Sequence, residues 1–351
     1  MIGRIIRNAI RTGALAAILA APAVADGPLL IVASTQAPGS SMRPAFVSFG
    51  ENIRKTWTGP IEVKLLIDGE SGSEETSLAA LRRERVHFSS VTIAAAATAV
   101  PELAVLMTPY LFDNDVEADF VLDNFLLAAF RPLFAKRNVH LIRWIDSGWA
   151  NIYAAKPVAG PEDLKGRRMR AASIRSAQTF LTSLKADVVP LTFADTIPAL
   201  QTGLIDGGAT ATFMYRSGGL NTYAPHLILT RHAINPGAVV VSKSWFDRQL
   251  PANQTAVESS MAGADDMRRA VRIDACNAMS KLAGEGVTVR VPADNERQRW
   301  IALTRPSHQA MIDDIGGETA AILDAVARGK VEFQRRKSEL PDHVDAPCPI
   351  W

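Results

Sequence analysis

The 351-residue chain carries 38 basic and 36 acidic side chains, so it lacks the basic excess of a polyanion-binding protein, and no nucleic-acid partner is expected. The run Lys165-Gly166-Arg167-Arg168-Met169-Arg170 is too short to supply one. Beyond the N-terminus no apolar segment reaches the roughly 20 residues that span a bilayer, so the chain is not expected to cross a membrane itself.

Arg4, Arg7 and Arg11 precede an apolar stretch from Gly13 to Ala20 that ends in Ala23-Val24-Ala25. This is the pattern of a signal peptide over residues 1–25, with cleavage expected before Asp26 and a periplasmic destination. A retained anchor is the alternative, although no cysteine lies near the cleavage point to carry a lipid. Loss of residues 1–25 removes three arginines and takes the formal charge from +2 to −1. The remaining length, about 325 residues, exceeds what one core usually supports and predicts two lobes. Cys276 and Cys348 are the only cysteines. In an oxidising compartment they form either one disulfide or two thiols, and a disulfide tying the C-terminal tail to a long helix is the expectation.

Leu29 to Ser34 reads as a strand, Pro38 to Ser41 as a loop and Met42 to Thr56 as a helix. Ile61 to Ile67 alternates as a second strand, Glu74 to Glu84 is helical, and Val86 to Val91 is a third strand. Val116 to Phe134 reads as an amphipathic helix and Val139 to Trp144 as a strand. Ser147-Gly148-Trp149 interrupts the pattern, and a further strand leads to Pro157. Pro161 to Gly166 is a short helix closed by glycine, and Arg167 to Ala171 is a strand. Ile174 to Leu184 and Asp195 to Gly203 are helices around the extended Val188 to Leu191. Leu204 to Gly207 opens another strand, and Ala238 to Ser242 returns the chain to the first lobe. Residues 252–284 hold no proline and read as one long helix, roughly 50 Å at 1.5 Å per residue. The tail from Pro341 reads as extended. Strands alternating with helices predict the α/β class, with mainly parallel sheets that bind ligands at the carboxyl ends of their strands.

Catalytic constellations are missing. The chain has no Gly-x-Ser-x-Gly elbow, no phosphate-binding loop and no Gly-x-Gly-x-x-Gly turn, which leaves an α/β hydrolase as a weak rival. Histidines 87, 140, 226, 232, 308 and 343 never pair at i, i+4, so neither a metal site nor a cofactor is expected. Asp265-Asp266 and Asp313-Asp314 diverge on helices and read as solvated faces.

One block carries more information: Pro161-Glu-Asp-Leu-Lys-Gly-Arg-Arg-Met-Arg170, then Val189-Pro-Leu-Thr-Phe193, then Ile197-Pro-Ala-Leu-Gln-Thr-Gly-Leu-Ile-Asp-Gly207. It resembles the DctP-like solute-binding proteins of tripartite ATP-independent periplasmic (TRAP) transporters. Pro109-Tyr-Leu-Phe112, Thr230-Arg-His232, Trp245-Phe-Asp247 and Leu250-Pro251 extend the resemblance over nearly the whole mature chain. It implies a two-lobed periplasmic binding protein fold with a long helix spanning both lobes. It also implies a non-catalytic role, in which a small organic carboxylate such as a dicarboxylate is captured and passed to integral membrane subunits. A binding protein serving a sensor or another transporter is the alternative.

By that resemblance Arg170 pairs with the ligand carboxylate, a role suited to a planar fork of donors that stays charged. Phe193 covers the apolar part of the ligand or packs in the core. Thr210 stands where many relatives place an asparagine. Sialic-acid binders carry a second arginine at the position of Ala150, so that ligand is disfavoured. Trp149 fills the vacated volume or is a core residue. From the first lobe the matching positions are Thr35, Ser73 and Thr92, all neutral hydroxyls. The expected lobes are 26–147 with 237–275, and 148–236 with 276–351, the helix over 252–284 being shared.

Overall fold

The computed structural model describes residues 27–36, 40 and 42–339, apart from the side chain of Ser147. The expected cleavage before Asp26, Cys348 and the tail from Pro341 lie outside the described residues.

The chain opens with β1 (Leu29–Ala33), α1 (Arg43–Thr56), β2 (Glu62–Leu66), α2 (Glu74–Arg82) and β3 (Phe88–Thr92). Then come α3 (Ile93–Ala96), a 3-10 segment Pro101–Met107, α4 (Asp115–Val121), a π-helical turn Leu122–Leu126, α5 (Leu127–Ala135) and β4 (Val139–Ala154). The second half contains β5 (Arg168–Ala171), α6 (Arg175–Ser183), β6 (Asp187–Pro190), α7 (Thr196–Gln201), β7 (Gly207–Ala211), α8 (Thr212–Ser217) and β8 (His226–Ser242). The chain continues with α9 (Lys243–Asp247), α10 (Pro251–Ser259), α11 (Ala264–Leu282), β9 (Thr288–Arg290), α12 (Asp294–Thr304), α13 (His308–Ile315) and α14 (Thr319–Arg336). Local chemistry sets several of these boundaries. Ser73 caps α2, and Asn114 caps α4 while Glu117 reaches back to the amide of Asp113, a reciprocal arrangement that satisfies free helix-start donors.

The strands run in the order β2-β1-β3-β8-β4-β7-β5-β6, with β9 beside β8. The outer pairs β1–β2, β1–β3, β5–β6 and β5–β7 are parallel, as βαβ crossovers require. The long strands β4 and β8 run antiparallel through the middle and join a half-sheet on each side. The sequence reading divided β4 into two strands and found only the last five residues of β8, Ala238 to Ser242. Gly148 and Pro236-Gly237 look like breaks, yet Asp146 pairs with Pro236 and Ile145 with Gly237, and the ladder absorbs the irregularity as a register shift between Asp146 and Trp149. Gly148 there has φ +83°, a conformation that suits glycine in a bulge.

Each half-sheet is covered on both faces. In the first half, Phe46, Phe49, Trp57 and Trp245 fill one side, and Phe120, Phe130, Phe134 and Trp144 the other. In the second half, Phe180, Leu181 and Trp300 oppose Tyr153, Tyr215 and Leu227. The expected helix over 252–284 is two helices separated at residues 260–263. No proline causes the break, and tertiary donors hold the freed carbonyls instead: Arg143 donates to Glu258 and Ala262, and Asn52 to Ser260. The second piece, α11, still bridges the molecule. Its Met267 and Val271 pack with Phe46 and Trp245, while Met279 and Leu282 pack with Tyr153 and Tyr215. The described residues from 276 onward do not pack as a unit: Trp300 of α12 stacks on Phe180, whereas Phe333 of α14 lies against Phe120 among the first-half helices. Among the described residues no helix is long and apolar enough to cross a membrane.

Candidate functional site

Arg170 is the penultimate residue of β5, at the carboxyl end of the second half-sheet, and only 6% of it is exposed. Its Nε donates to the carbonyl of Leu191 at 3.0 Å, and one terminal nitrogen lies 3.5 Å from the carbonyl of Ala209. Among the described residues no carboxylate pairs with it. Burial lowers its pKa from the ordinary guanidinium value, and the neighbouring Tyr153 acts in the opposite sense. A guanidinium this buried costs free energy unless an anion meets it.

Two of the other expected residues belong to the same corner. Leu191, whose carbonyl holds Arg170, is followed two residues later by Phe193, half-buried against the layer of Tyr153 and Tyr215. A Cβ on Gly218 would fall 2.6 Å from the Phe193 ring, so the ring is seated by a glycine at the end of α8. Thr210 lies on β7, two residues beyond the Gly208 that faces Arg170 across the ladder, and therefore on the same sheet face. It is 7% exposed, and its hydroxyl has only a long contact, 3.9 Å, with the sulfur of Met214. Arg170, Phe193 and Thr210 thus form one wall with an unpaired cation and an under-used hydroxyl.

Thr35 and Thr92 also come together, through a residue that the sequence reading missed. Glu74, the first residue of α2, accepts from the Thr92 hydroxyl at 2.6 Å, the Thr92 amide at 3.0 Å and the Thr35 hydroxyl at 3.4 Å. Glu74 is half-buried. Burial raises its pKa above the usual value, and the bonds from Thr92 offset this in part. Ser73, next to it, is exposed and spends its hydroxyl on capping α2 through the amide of Thr76. On the same rim Thr35 bridges to Asp68, which holds Arg43 bidentately at 2.8 and 2.9 Å. These groups sit at the carboxyl ends of β1 and β3 or at the start of α2, where open α/β sheets place ligands.

Trp149 is elsewhere. Its indole donates to Asp115 at 2.6 Å and lies beneath the guanidinium of Arg231, 4.8 Å from the ring centroid. It lines a cleft with Asp119, Asp146, Arg268 and Arg272, where α4, β4 and α11 meet. The arginines here are saturated: Arg268 bonds Asp123 at 2.6 and 2.8 Å, and Arg272 bonds Asp119 and Asp146 at 2.8 and 2.9 Å. Cys276 lies half-buried on α11, and its expected partner is outside the described residues. Among those residues no three metal-ligating side chains converge.

Residues 32–314 match the family model of the DctP proteins, the bacterial extracellular solute-binding proteins of family 7. The chain belongs to that family. The chain is 27% identical over 333 residues to the C4-dicarboxylate-binding periplasmic protein DctP of Rhodobacter capsulatus, covering 92% of this chain and 98% of that one. It is 24% identical over 258 residues to the 2,3-diketo-L-gulonate-binding periplasmic protein of Escherichia coli, covering 73% and 79%. Among solved structures, the sugar acid binding protein of Advenella mimigardefordensis in complex with galactonate superposes with a TM-score of 0.78 at 24% identity, covering 86% of this chain and 98% of that one. A TRAP periplasmic solute-binding protein from Desulfovibrio desulfuricans with bound sn-glycerol-3-phosphate gives 0.79 at 21%, covering 86% and 97%. The chain therefore has the two-lobed fold of TRAP solute-binding proteins, a transport family rather than an enzyme family.

Proposed function

We propose that this protein is exported to the periplasm, captures a hydroxylated organic monocarboxylate between its lobes and presents it to TRAP membrane subunits. The observation that carries the reading is Arg170, a buried guanidinium held by two carbonyls and met by no acid among the described residues. A ligand carboxylate supplies the missing charge, and closure of the first lobe removes water from the pair and strengthens it. Phe193 covers the carbon skeleton, and Thr210 hydrogen-bonds beside the carboxylate.

Glu74 decides between kinds of acid. Ionised, it repels a second carboxylate and accepts hydroxyls; protonated, it is a neutral donor. Arg43, on the same rim, is already occupied by Asp68. Several hydroxyls with one carboxylate fit such a rim better than two carboxylates do. Sugar-acid complexes of structural neighbours, galactonate and glucuronate among them, agree with this chemistry. The hinge of this reading lies where β4 and β8 pass between half-sheets at Gly148 and Gly237, with lobes over 26–147 plus 237–275 and over 148–236, and with the C-terminal helices shared between them.

A thermal-shift comparison of D-galactonate, D-glucuronate and succinate, on wild type and Arg170→Ala, tests the proposal. The sugar acids are expected to raise the wild-type melting temperature more than succinate, and the variant is expected to lose the shift, a deficit of about 3 kcal/mol or more in binding. Retention of full affinity by Arg170→Ala would falsify this binding mode.

A further inference from the structure

Arg170 is not the only group left unpaired at this corner. Tyr153 is fully buried and its hydroxyl has no hydrogen-bond partner among the described residues. Tyr215, whose ring centroid is 5.9 Å away, shows the ordinary solution by donating to the carbonyl of Ala224 at 2.7 Å. Buried hydroxyls are nearly always bonded, so the exception calls for a cause.

The strand register supplies one. Tyr153 on β4 faces Gly208 on β7, and Gly208 faces Arg170 on β5. Directly opposed residues share a sheet face, so Tyr153, Gly208 and Arg170 form one row across three strands. The middle member has no side chain, and the phenol takes the space. A Cβ at Gly208 would fall 2.4 Å from the Tyr153 oxygen and 2.7 Å from the ring carbon that bears it. Tyr153 therefore leans over Gly208 toward the strand of Arg170. Burial raises the phenol pKa and Arg170 pulls the other way, with the net result that the hydroxyl stays protonated and remains a donor.

We propose that the Tyr153 hydroxyl is a second donor to the carboxylate held by Arg170, and that Gly208 is the gap that lets the two converge. This rests on Arg170 being the anion-binding group. One carboxylate oxygen takes the guanidinium N–H groups and the other takes the phenol O–H. The acceptor that Tyr153 lacks in the free protein arrives with the ligand. A neutral sugar leaves both donors unmet, and so the pair selects for acids.

Isothermal titration of D-galactonate and D-glucuronate into wild type, Tyr153→Phe, Gly208→Ala and Arg170→Ala tests this, with the melting temperature of each free protein alongside. Tyr153→Phe is expected to weaken binding roughly 10- to 100-fold while the free protein melts at or above the wild-type temperature, because an unpaired hydroxyl is gone. Gly208→Ala, whose Cβ would meet the phenol oxygen at 2.4 Å, the ring carbon that bears it at 2.7 Å and the Arg170 carbonyl at 2.9 Å, is expected to weaken binding by pushing the two donors apart. Wild-type affinity in Tyr153→Phe, with binding still lost in Arg170→Ala, overturns the role of Tyr153 alone. Wild-type affinity in Arg170→Ala overturns the reading on which it rests.

Discussion

Two buried arginines in this molecule have opposite surroundings. Arg268, 2% exposed on α11, is pinned by Asp123 at 2.6 and 2.8 Å and by Asp119 at 3.3 Å. Arg170, 6% exposed at the end of β5, meets only backbone carbonyls among the described residues. Burial alone does not distinguish a structural guanidinium from a functional one; the set of partners does. Where the protein supplies the anions, the charge closes the junction of α4, β4 and α11 internally. Where it supplies none, the desolvation cost of the cation is left for a ligand to offset.

The largest effect that sharpens this contrast is expected at Arg268. Arg268→Ala removes the hub of a partly buried network, leaving Asp123 without its partner and Asp119 with Arg272 alone, so urea unfolding should show a loss of about 3 kcal/mol. Arg170→Ala removes a cation with no acid to strand, and the ligand-free protein should lose far less or gain stability. Equal losses in the two variants would break the comparison.

A second buried group escapes the problem by staying neutral. His232, 4% exposed, bonds the Thr230 hydroxyl at 2.8 Å and stacks on Phe180 with centroids 3.7 Å apart. Burial pushes its pKa down to about 3, from an ordinary value of 6.5. The unfolded chain thus binds a proton that the folded one refuses as pH falls from about 6.5 toward 3, and stability drops across that window. At pH 4 the loss relative to pH 7 amounts to about 3 kcal/mol from this residue. His232→Phe keeps the stacking surface and should flatten the acid limb of stability against pH. An unchanged difference between wild type and variant from pH 7 to pH 4 would show that the imidazole takes a proton in the folded state.

What the sequence revealed divides along the range of the interactions involved. Arg170 and Phe193 could be singled out because one contiguous block, Pro161 to Gly207, carries their motif, and Thr210 follows three residues beyond it. The α/β alternation was legible because each strand and helix has its own periodicity. Glu74 was not, since a glutamate in the first turn of a helix is ordinary until Thr35 and Thr92 fold onto it from two strands. Tyr153 was not, since its meaning depends on a glycine 55 positions later that fills the register between it and Arg170. Trp149 adjoins the expected second arginine position in sequence, yet its indole bonds Asp115. The break in the long helix was invisible for the same reason: Arg143 and Asn52, which hold the freed carbonyls, come from β4 and α1.

The smallest expected effect is also the sharpest control, because it concerns the neighbour of Arg170 in the same motif. Arg168 lies two residues earlier on β5, so its side chain leaves the same face of the sheet, but at the amino end of the strand. There Asp206 meets it with bonds of 2.8 and 3.1 Å and also accepts from its backbone amide at 3.0 Å. The guanidinium, half exposed at 48%, holds the Asp206 carboxyl below the usual range. Exposed pairs of this kind contribute little to stability, and the amino end of a parallel strand is the wrong end for ligand. Arg168→Ala should therefore bind D-galactonate like the wild type and melt within a degree or two of it, a margin typical of surface substitutions. If its affinity instead fell as far as that of Arg170→Ala, the two arginines would be acting as one basic patch, and strand polarity with partner chemistry would not be what separates them.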